Sequence, residues 1–368
     1  MQTYYWQLSA DKDNSAVIRQ AAYFVKTGEV VAFPTETVYG LGANGLNPEA
    51  VAKIYEAKGR PGDNPLILHI ADKKDIEPLT TGLNANARAL IEHFWPGPLT
   101  LIVKKSKLIP DIVSAGLPTV AVRFPSNPFA MEFIRACGCP VAAPSANISG
   151  RPSPTNARDV MEDMQGKIAA VLDGGSCGIG LESTVVDTTE PVPVILRPGG
   201  VTYEMLTEVL GTVEIDPALH GDKNFKPKAP GMKYRHYAPK APVYLMEEEA
   251  ARLLPQAAAA ALAQGMKTGV LCSRAMEERL LPQKGLLVSC WGSSREELAE
   301  KLFLLLRDFD RTMPDVILAE GVGENGIGLA IMNRMRKAAG YQEIILENGS
   351  LKLKNSAQLP AFMIQLNK

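Results

Sequence analysis

Residues Gly221–Lys240, GDKNFKPKAPGMKYRHYAPK, carry three prolines, six Lys or Arg and a single acid. So much proline and like charge in twenty residues reads as an irregular, mostly extended linker. On both sides of it the chain alternates strand-like and helix-like stretches, so two α/β units are expected. The length agrees, since 368 residues are too many for one ordinary core. The expected division is a first domain over 1–210, the linker over 211–240, a second domain over 241–345, and a tail over 346–368 with no clear place in either.

In the first part, Val17, Ala21, Phe24 and Val25 share a helical face that Gly28 ends. A buried strand is expected over 29–33, and Asn47-Pro48 pairs an N-cap with proline at the first helical position. Further strands are predicted at 65–70, 99–104, 119–124, 139–143, 168–172, 183–188 and 193–197, with helices near 85–94, 128–136 and 156–164. The short spacing between 183–188 and 193–197 predicts a hairpin, and hence a mixed sheet. In the second part, strands near 242–246, 268–272, 286–290 and 315–319 alternate with helices. Over Ser294–Arg311 an amphipathic helix aligns Leu298, Leu302, Leu305 and Phe309. That alternation predicts a small parallel, Rossmann-like sheet.

Charge narrows the function. Up to residue 210 there are 18 Lys and Arg against 22 Asp and Glu; beyond it there are 21 against 18, so the halves carry −4 and +3. The net charge of −1 gives no general attraction to nucleic acid or to an anionic membrane, and no stable nucleic-acid binding is expected. The opening MQTYYWQLSADKD has no cationic leader ahead of an apolar run, and no stretch approaches the ~18 apolar residues of a membrane span. Five scattered cysteines, Cys137, Cys139, Cys177, Cys272 and Cys290, read as reduced thiols, and a cytoplasmic location is expected.

The chemistry gathers in the first part. On the helix beginning at Asn47, Val51, Ile54, Tyr55 and Lys58 fall on one inward stripe, with Gly59 as a stop and Arg60 just beyond. The lysine is expected to snorkel out or to reach a polar cavity at the domain edge. In PLILHI, Leu66, Leu68 and Ile70 point one way and Ile67 and His69 the other. FPTETVYGLGANG leaves a strand through Thr35, Glu36 and Thr37 into three glycines. TVAVRFP sets Arg123 among apolar neighbours. APSANISGRPSPT, GGSCGIGLESTVVD and ILRPG add hydroxyls, glycines and Arg197 at further strand ends.

Backbone N–H groups and small hydroxyls wrap phosphate oxygens, and Arg and Lys neutralise them. A buried Arg123 needs an anionic partner, and the scarcity of acids nearby in sequence favours a ligand over a protein carboxylate. No P-loop, no G-x-G-x-x-G after a strand, no H-E-x-x-H and no credible nucleophile triad is present. The residues therefore predict a concave anion-binding pocket that orients and neutralises reactants while they attack one another.

Taken together and in order, PTETVYGLGAN, KGRP and NPL, LHI, VAVRFP, APSANISG and PSPT, and STVVD with ILRPG resemble the YrdC-like domain. APGMKYRHYAP followed by AEGVGENGIGLAIMNRMRKAAG resembles the two-domain form, the threonylcarbamoyl-AMP synthases of the Sua/YrdC/YciO family. The resemblance implies a YrdC-like twisted mixed sheet with helices and a large concave anion-binding cavity, plus the smaller Rossmann-like parallel α/β domain. It implies condensation of L-threonine, bicarbonate or carbon dioxide, and ATP to threonylcarbamoyl-AMP and pyrophosphate. The product would pass to a downstream complex that modifies adenosine at tRNA position 37.

By the same resemblance Thr35, His69, Arg123 and Ser183 would hold threonine. Lys58, Arg60, Asn64, Thr119, Ser145, Asn147, Ser153, Arg197 and Tyr234 would line the ATP site, with His236 and Tyr237 as a linker lid. Magnesium would ride on the ATP phosphates with no protein ligand of its own. One alternative is an RNA-binding or ribosome-assembly factor without adenylating activity, which the near-neutral charge and missing aromatic stacking motifs disfavour. Another is a carbamoyl-adenylate synthase of hydrogenase maturation, which calls for zinc-finger Cys pairs and a carbamoyl-phosphate-cleaving module that this sequence lacks.

Overall fold

The computed structural model describes residues 2–220, 237–354 and 358–367. Its chain contacts separate two compact units, one of Met1–Ser149 with Ser153–Tyr234 and one of Gly150–Pro152 with Arg235–Lys368.

Among the described residues the first unit carries one mixed sheet. Its strands are β1 (Tyr4–Gln7), β2 (Val31–Phe33), β3 (Gly40–Asn44), β4 (Ile67–His69), β5 (Leu99–Lys104), β6 (Thr119–Arg123), β7 (Val141–Ala142), β8 (Ala170–Asp173), β9 (Thr184–Asp187), β10 (Val194–Arg197) and β11 (Glu214–Ile215). Their order is β1-β8-β2-β3-β7-β4-β6-β5-β9-β10-β11. The expected hairpin is there, with β9 and β10 antiparallel, while β4 and β6 run parallel.

Helices α1 (Ser15–Lys26), α2 (Pro48–Lys58), α3 (Ala85–Phe94), α4 (Asp111–Ser114), α5 (Pro128–Cys137), α6 (Ala157–Met164) and α7 (Tyr203–Leu210) accompany the sheet. Capping sets α2 in place. The Asn47 side chain accepts from Glu49 N and Ala50 N, Pro48 opens the helix, and Gly59 closes it in a left-handed conformation with φ 60°. Its stripe of Val51, Ile54 and Tyr55 enters the main core with Leu41, Leu66 and Leu68. The sequence reading anticipates neither β1, β3 and β11 nor α4 and α7. β1 is a largely exposed edge strand with little apolar alternation to announce it. β3 lies where the sequence shows three glycines after Thr37 and no strand is predicted. Its glycines make room, because a Cβ on Gly40 or Gly42 would come within 2.9 Å of the Phe33 ring.

The second unit has a six-stranded sheet among its described residues, ordered β14-β13-β15-β12-β16-β17. These are β12 (Val243–Met246), β13 (Thr268–Cys272), β14 (Leu286–Cys290), β15 (Val316–Glu320), β16 (Glu343–Glu347) and β17 (Ser350–Leu353). All pairings are parallel except β16 with β17, an antiparallel edge whose second strand, with the end of the first, comes from the 346–368 tail. Helices α8 (Leu254–Ala263), α9 (Arg274–Glu277), α10 (Arg295–Thr312), α11 (Gly328–Ala338) and α12 (Ala361–Ile364) complete it. On α10 the buried stripe is Leu298, Leu302, Leu306 and Phe309, and Leu305 stays half-buried. Arg307 of α10, fully buried, donates to the Pro152 carbonyl at 3.0 and 2.6 Å. No helix among the described residues is long and apolar enough to cross a membrane.

Candidate active site

Strand register assembles the site. His69 lies opposite Arg123 on the parallel β4/β6 pair, Arg123 opposite Thr100, Thr100 opposite Val185, and Val185 opposite Arg197. Residues opposite one another share a sheet face, so one row across five strands presents imidazole, guanidinium, hydroxyl and guanidinium on the same side. Two residues back along the strands, Ile67, Ala121 and Ile102 form a small apolar cluster with Val185 and Leu196. The other face, with Leu68, Val122, Leu101 and Val186, faces the main core. The polar row therefore lies beside a small apolar cluster, on the face left free of that core.

Arg123, 3% exposed, donates from Nη2 to Glu36 Oε1 at 2.6 Å and from Nη1 to Thr37 Oγ1 at 2.8 Å. Thr37 Oγ1 is 2.8 Å from Thr35 Oγ1, whose hydroxyl also bonds the Val38 carbonyl at 2.6 Å. The sequence reading favours a ligand over a protein carboxylate as this arginine's anion, and the structure supplies a carboxylate. The arginine's partner is Glu36, brought from 87 residues away by the turn that follows β2. Glu36 Oε2 and Arg123 Nε are both buried and have no hydrogen-bond partner among the described residues.

His69 is buried, and its Nδ1–H donates to the Ile67 carbonyl at 3.2 Å. Burial first, and the Arg123 cation next, push its pKa from 6.5 down to about 3, so the ring is neutral at physiological pH. Ser183 and Arg197 form the other end of the row. Arg197 Nε donates to the Ser183 carbonyl at 3.0 Å and Nη2 to its Oγ at 3.1 Å, while Ser183 Oγ lies 2.7 Å from Thr100 Oγ1. Ser153 Oγ donates to Glu182 Oε1 at 2.6 Å, both residues buried. Gly199 permits this packing. A Cβ there would stand 2.3 Å from Thr184 N and 2.5 Å from the Glu182 carbonyl.

A second group surrounds the end of α2. Lys58 was expected at a pocket edge; the structure buries it to 3% exposure. Its Nζ donates to the Ser145 carbonyl at 2.5 Å and the Asn147 carbonyl at 2.7 Å, so the ammonium shapes the loop after β7. Ser145 Oγ donates to Asn147 Oδ1 at 2.5 Å. Arg60 Nη2 and the Tyr55 hydroxyl both donate to the Asn64 carbonyl, at 3.1 and 3.2 Å. That fixes the Asn64 backbone, yet its side-chain amide, 1% exposed, has neither its NH2 nor its oxygen paired among the described residues. A buried amide left with both functions open is costly unless a ligand completes it.

Thr119 shares the face of Arg123 on β6 but stands four residues away, about 13 Å at strand rise, opposite Lys104. Tyr237 lies in the second unit, buried with its ring 4.9 Å from that of Phe303. Tyr234 and His236 lie outside the described residues. The residues that sequence reasoning missed are Glu36 and Thr37, which pair with Arg123, and Thr100 and Glu182, which hold the Ser183 and Ser153 hydroxyls. Their only signal was indirect, since every buried cation or hydroxyl requires such partners. Among the described residues no three His, Cys, Asp or Glu side chains gather as a metal cage.

The fold and site define a two-unit α/β protein with a buried, cation-bearing polar row on the first sheet. Two family models divide the chain. One, described as telomere recombination and covering the Sua5, YciO and YrdC proteins, matches residues 23–199; the other, the threonylcarbamoyl-AMP synthase C-terminal domain, matches 201–340. The chain is 50% identical to threonylcarbamoyl-AMP synthase of Pyrococcus abyssi, over 89% of this chain and 95% of that protein. It is 48% identical to the Bacillus subtilis enzyme of the same name, over 90% and 95%. The crystal structure of P. abyssi Sua5 complexed with L-threonine superposes with a TM-score of 0.88 at 47% identity, covering 94% of this chain and all of that one. The chain belongs to the two-domain Sua5/YrdC/YciO family.

Proposed function

We propose that this chain is an L-threonylcarbamoyladenylate synthase, condensing L-threonine, bicarbonate or carbon dioxide, and ATP to threonylcarbamoyl-AMP and pyrophosphate. The observation that carries the reading is the likeness, over nearly the whole chain, to a solved relative described as holding L-threonine. The site chemistry agrees with it. Threonine carboxylate, carbamate and triphosphate are all anionic, and Arg123, Arg197, Lys58 and Arg60 supply cations around one sheet face and one helix end. No covalent enzyme intermediate is needed: the threonine amine attacks carbon dioxide, and the resulting carbamate attacks the α-phosphorus in line.

In this reading residues 1–210 are the catalytic domain, 211–240 the linker and 241–345 a second domain of the cytoplasmic enzyme. The face holding the polar row is the floor of a concave anion-binding cavity. Threonine sits near Thr35, His69, Arg123 and Ser183. The nucleotide uses Lys58, Arg60, the open Asn64 amide, Thr119, Ser145, Asn147, Ser153 and Arg197. Neutral His69 offers a hydrogen bond to the substrate hydroxyl without adding charge. The carboxylates close to the row, Glu36 and Glu182, are engaged by Arg123 and Ser153, a donor set unsuited to a protein-held magnesium ion. It suits an ion carried by the ATP phosphates, which would neutralise charge on the leaving pyrophosphate. The product is handed to the complex that modifies tRNA.

The test is pyrophosphate release by the purified chain without tRNA. Release that requires both threonine and bicarbonate is the expected result; ATP turnover indifferent to threonine overturns the assignment.

A further inference from the structure

Arg123 is already paired, and with a carboxylate that has one oxygen to spare. An anion arriving alone at this guanidinium would meet the charge of Glu36 at hydrogen-bond range. A zwitterion would not. In an α-amino acid the ammonium nitrogen lies about 2.5 Å from the carboxylate carbon. The side chains present the matching arrangement: Arg123 Nε has an open donor, and Glu36 Oε2 an open acceptor, on two groups joined at 2.6 Å. Both side chains are largely buried, 4% and 14% exposed, so water does not readily serve either atom. The Glu36 backbone is held in place as well, its carbonyl accepting from Ile179 N at 2.9 Å.

Resting on the function proposed above, we propose that Glu36 receives the α-ammonium of threonine and then removes a proton from it. Glu36 thereby selects the amino acid and activates its nitrogen. The step balances as follows. The ammonium gives one proton to Glu36 Oε2, making the neutral acid. The freed lone pair forms the N–C bond to carbon dioxide as one C=O π pair moves onto oxygen. The nitrogen loses its second proton to water, leaving the carbamate, and Glu36 returns its own proton to solvent. Ammonium plus carbon dioxide thus gives carbamate and two protons, with no change in oxidation state. The charged and titratable groups that face Glu36 are Arg123 from β6 and the Cys177 thiol from the loop after β8. His69 lies next to Arg123 in the row, and Arg197 ends it. Burial pushes Cys177 up to about 12, so it stays a neutral thiol, and the ion pair facing the substrate is Arg123 with Glu36.

The experiment compares wild type with Glu36→Gln and Glu36→Asp, using threonine and its hydroxy-acid analogue in which the ammonium is replaced by hydroxyl. Binding is measured by calorimetry and turnover by pyrophosphate release across pH 6–9. Wild type is expected to prefer threonine over the hydroxy acid by about 100-fold or more. Glu36→Gln is expected to lose that preference and to turn over about 100-fold more slowly. Its rate should climb with pH, because only amine already deprotonated in solution reacts. Glu36→Asp, which keeps the carboxylate, retains the preference and the wild-type profile shape at a lower rate, and it decides the matter if Glu36→Gln does not fold. Unchanged preference and a parallel pH profile in Glu36→Gln, or loss of preference in a folded Glu36→Asp, overturns the role of Glu36. Wild type that shows no threonine-dependent release fails earlier and overturns the functional reading with it.

Discussion

Lys58→Met separates the structural work of the lysine from its charge. Methionine keeps most of the buried stem and removes the ammonium, so the Ser145 and Asn147 carbonyls lose the donor that stands 2.5 and 2.7 Å away. Hydrogen bonds to a charged group are worth roughly 1.5–3 kcal/mol each, so two such bonds amount to about 3–6 kcal/mol. Part of that returns, because an apolar tip no longer requires a buried ion. A net loss of about 2 kcal/mol is expected, which for a unit of this size lowers Tm by roughly 4–8 °C. Burial of Lys58 to 3% exposure is what makes the loss one of fold stability and not of surface charge alone. Differential scanning calorimetry reads the stability, and ATP affinity measured well below Tm reads the loop that carries Ser145 and Asn147. A Tm within about 1 °C of wild type, with unchanged ATP affinity, refutes the claim that the ammonium organises this loop.

Three further outcomes follow from the same geometry. Arg123→Met strands Glu36 as a buried anion and should destabilise by about 3–5 kcal/mol, whereas Arg123→Met with Glu36→Gln should recover much of that; additive losses in urea melts would deny the pairing. His69 has its pKa lowered on folding, so the unfolded chain takes up the proton first; stability is full above about pH 6.5 and falls toward pH 3. At pH 5 the loss is about 2 kcal/mol, and His69→Gln should flatten the change in urea midpoint between pH 7 and 5; identical changes in both proteins count against it. Gly199→Ala should lower both Tm and turnover, because its Cβ meets Thr184 N at 2.3 Å, while Gly62→Ala meets nothing within 4 Å and should behave as wild type.

What the sequence made legible was local. Asn47, Pro48 and Gly59 announce α2 because capping chemistry acts within a few residues. β5 shows itself as an apolar run, and the β9/β10 hairpin by its short connection. β3 escaped because glycine serves two purposes, and its service here as space for the Phe33 ring is visible only once the strands are paired. β1 escaped because an exposed edge carries no alternation. At the site, the cations were legible and their counter-charges were not. Arg123 and Arg197 declare themselves as charges in apolar strands, but Glu36 reaches Arg123 across 87 residues of chain, and Thr100 reaches Ser183 across 83. Register created those pairs, and nothing in either local segment encodes it.

The most direct trial of the central claim is a crystal structure of the chain with L-threonine and a non-hydrolysable ATP analogue. The account predicts the threonine carboxylate against Arg123, its nitrogen beside Glu36, and the triphosphate among Arg197, Asn64 and the end of α2. Density for either reactant on the opposite face of the first sheet, or in the second unit alone, contradicts it.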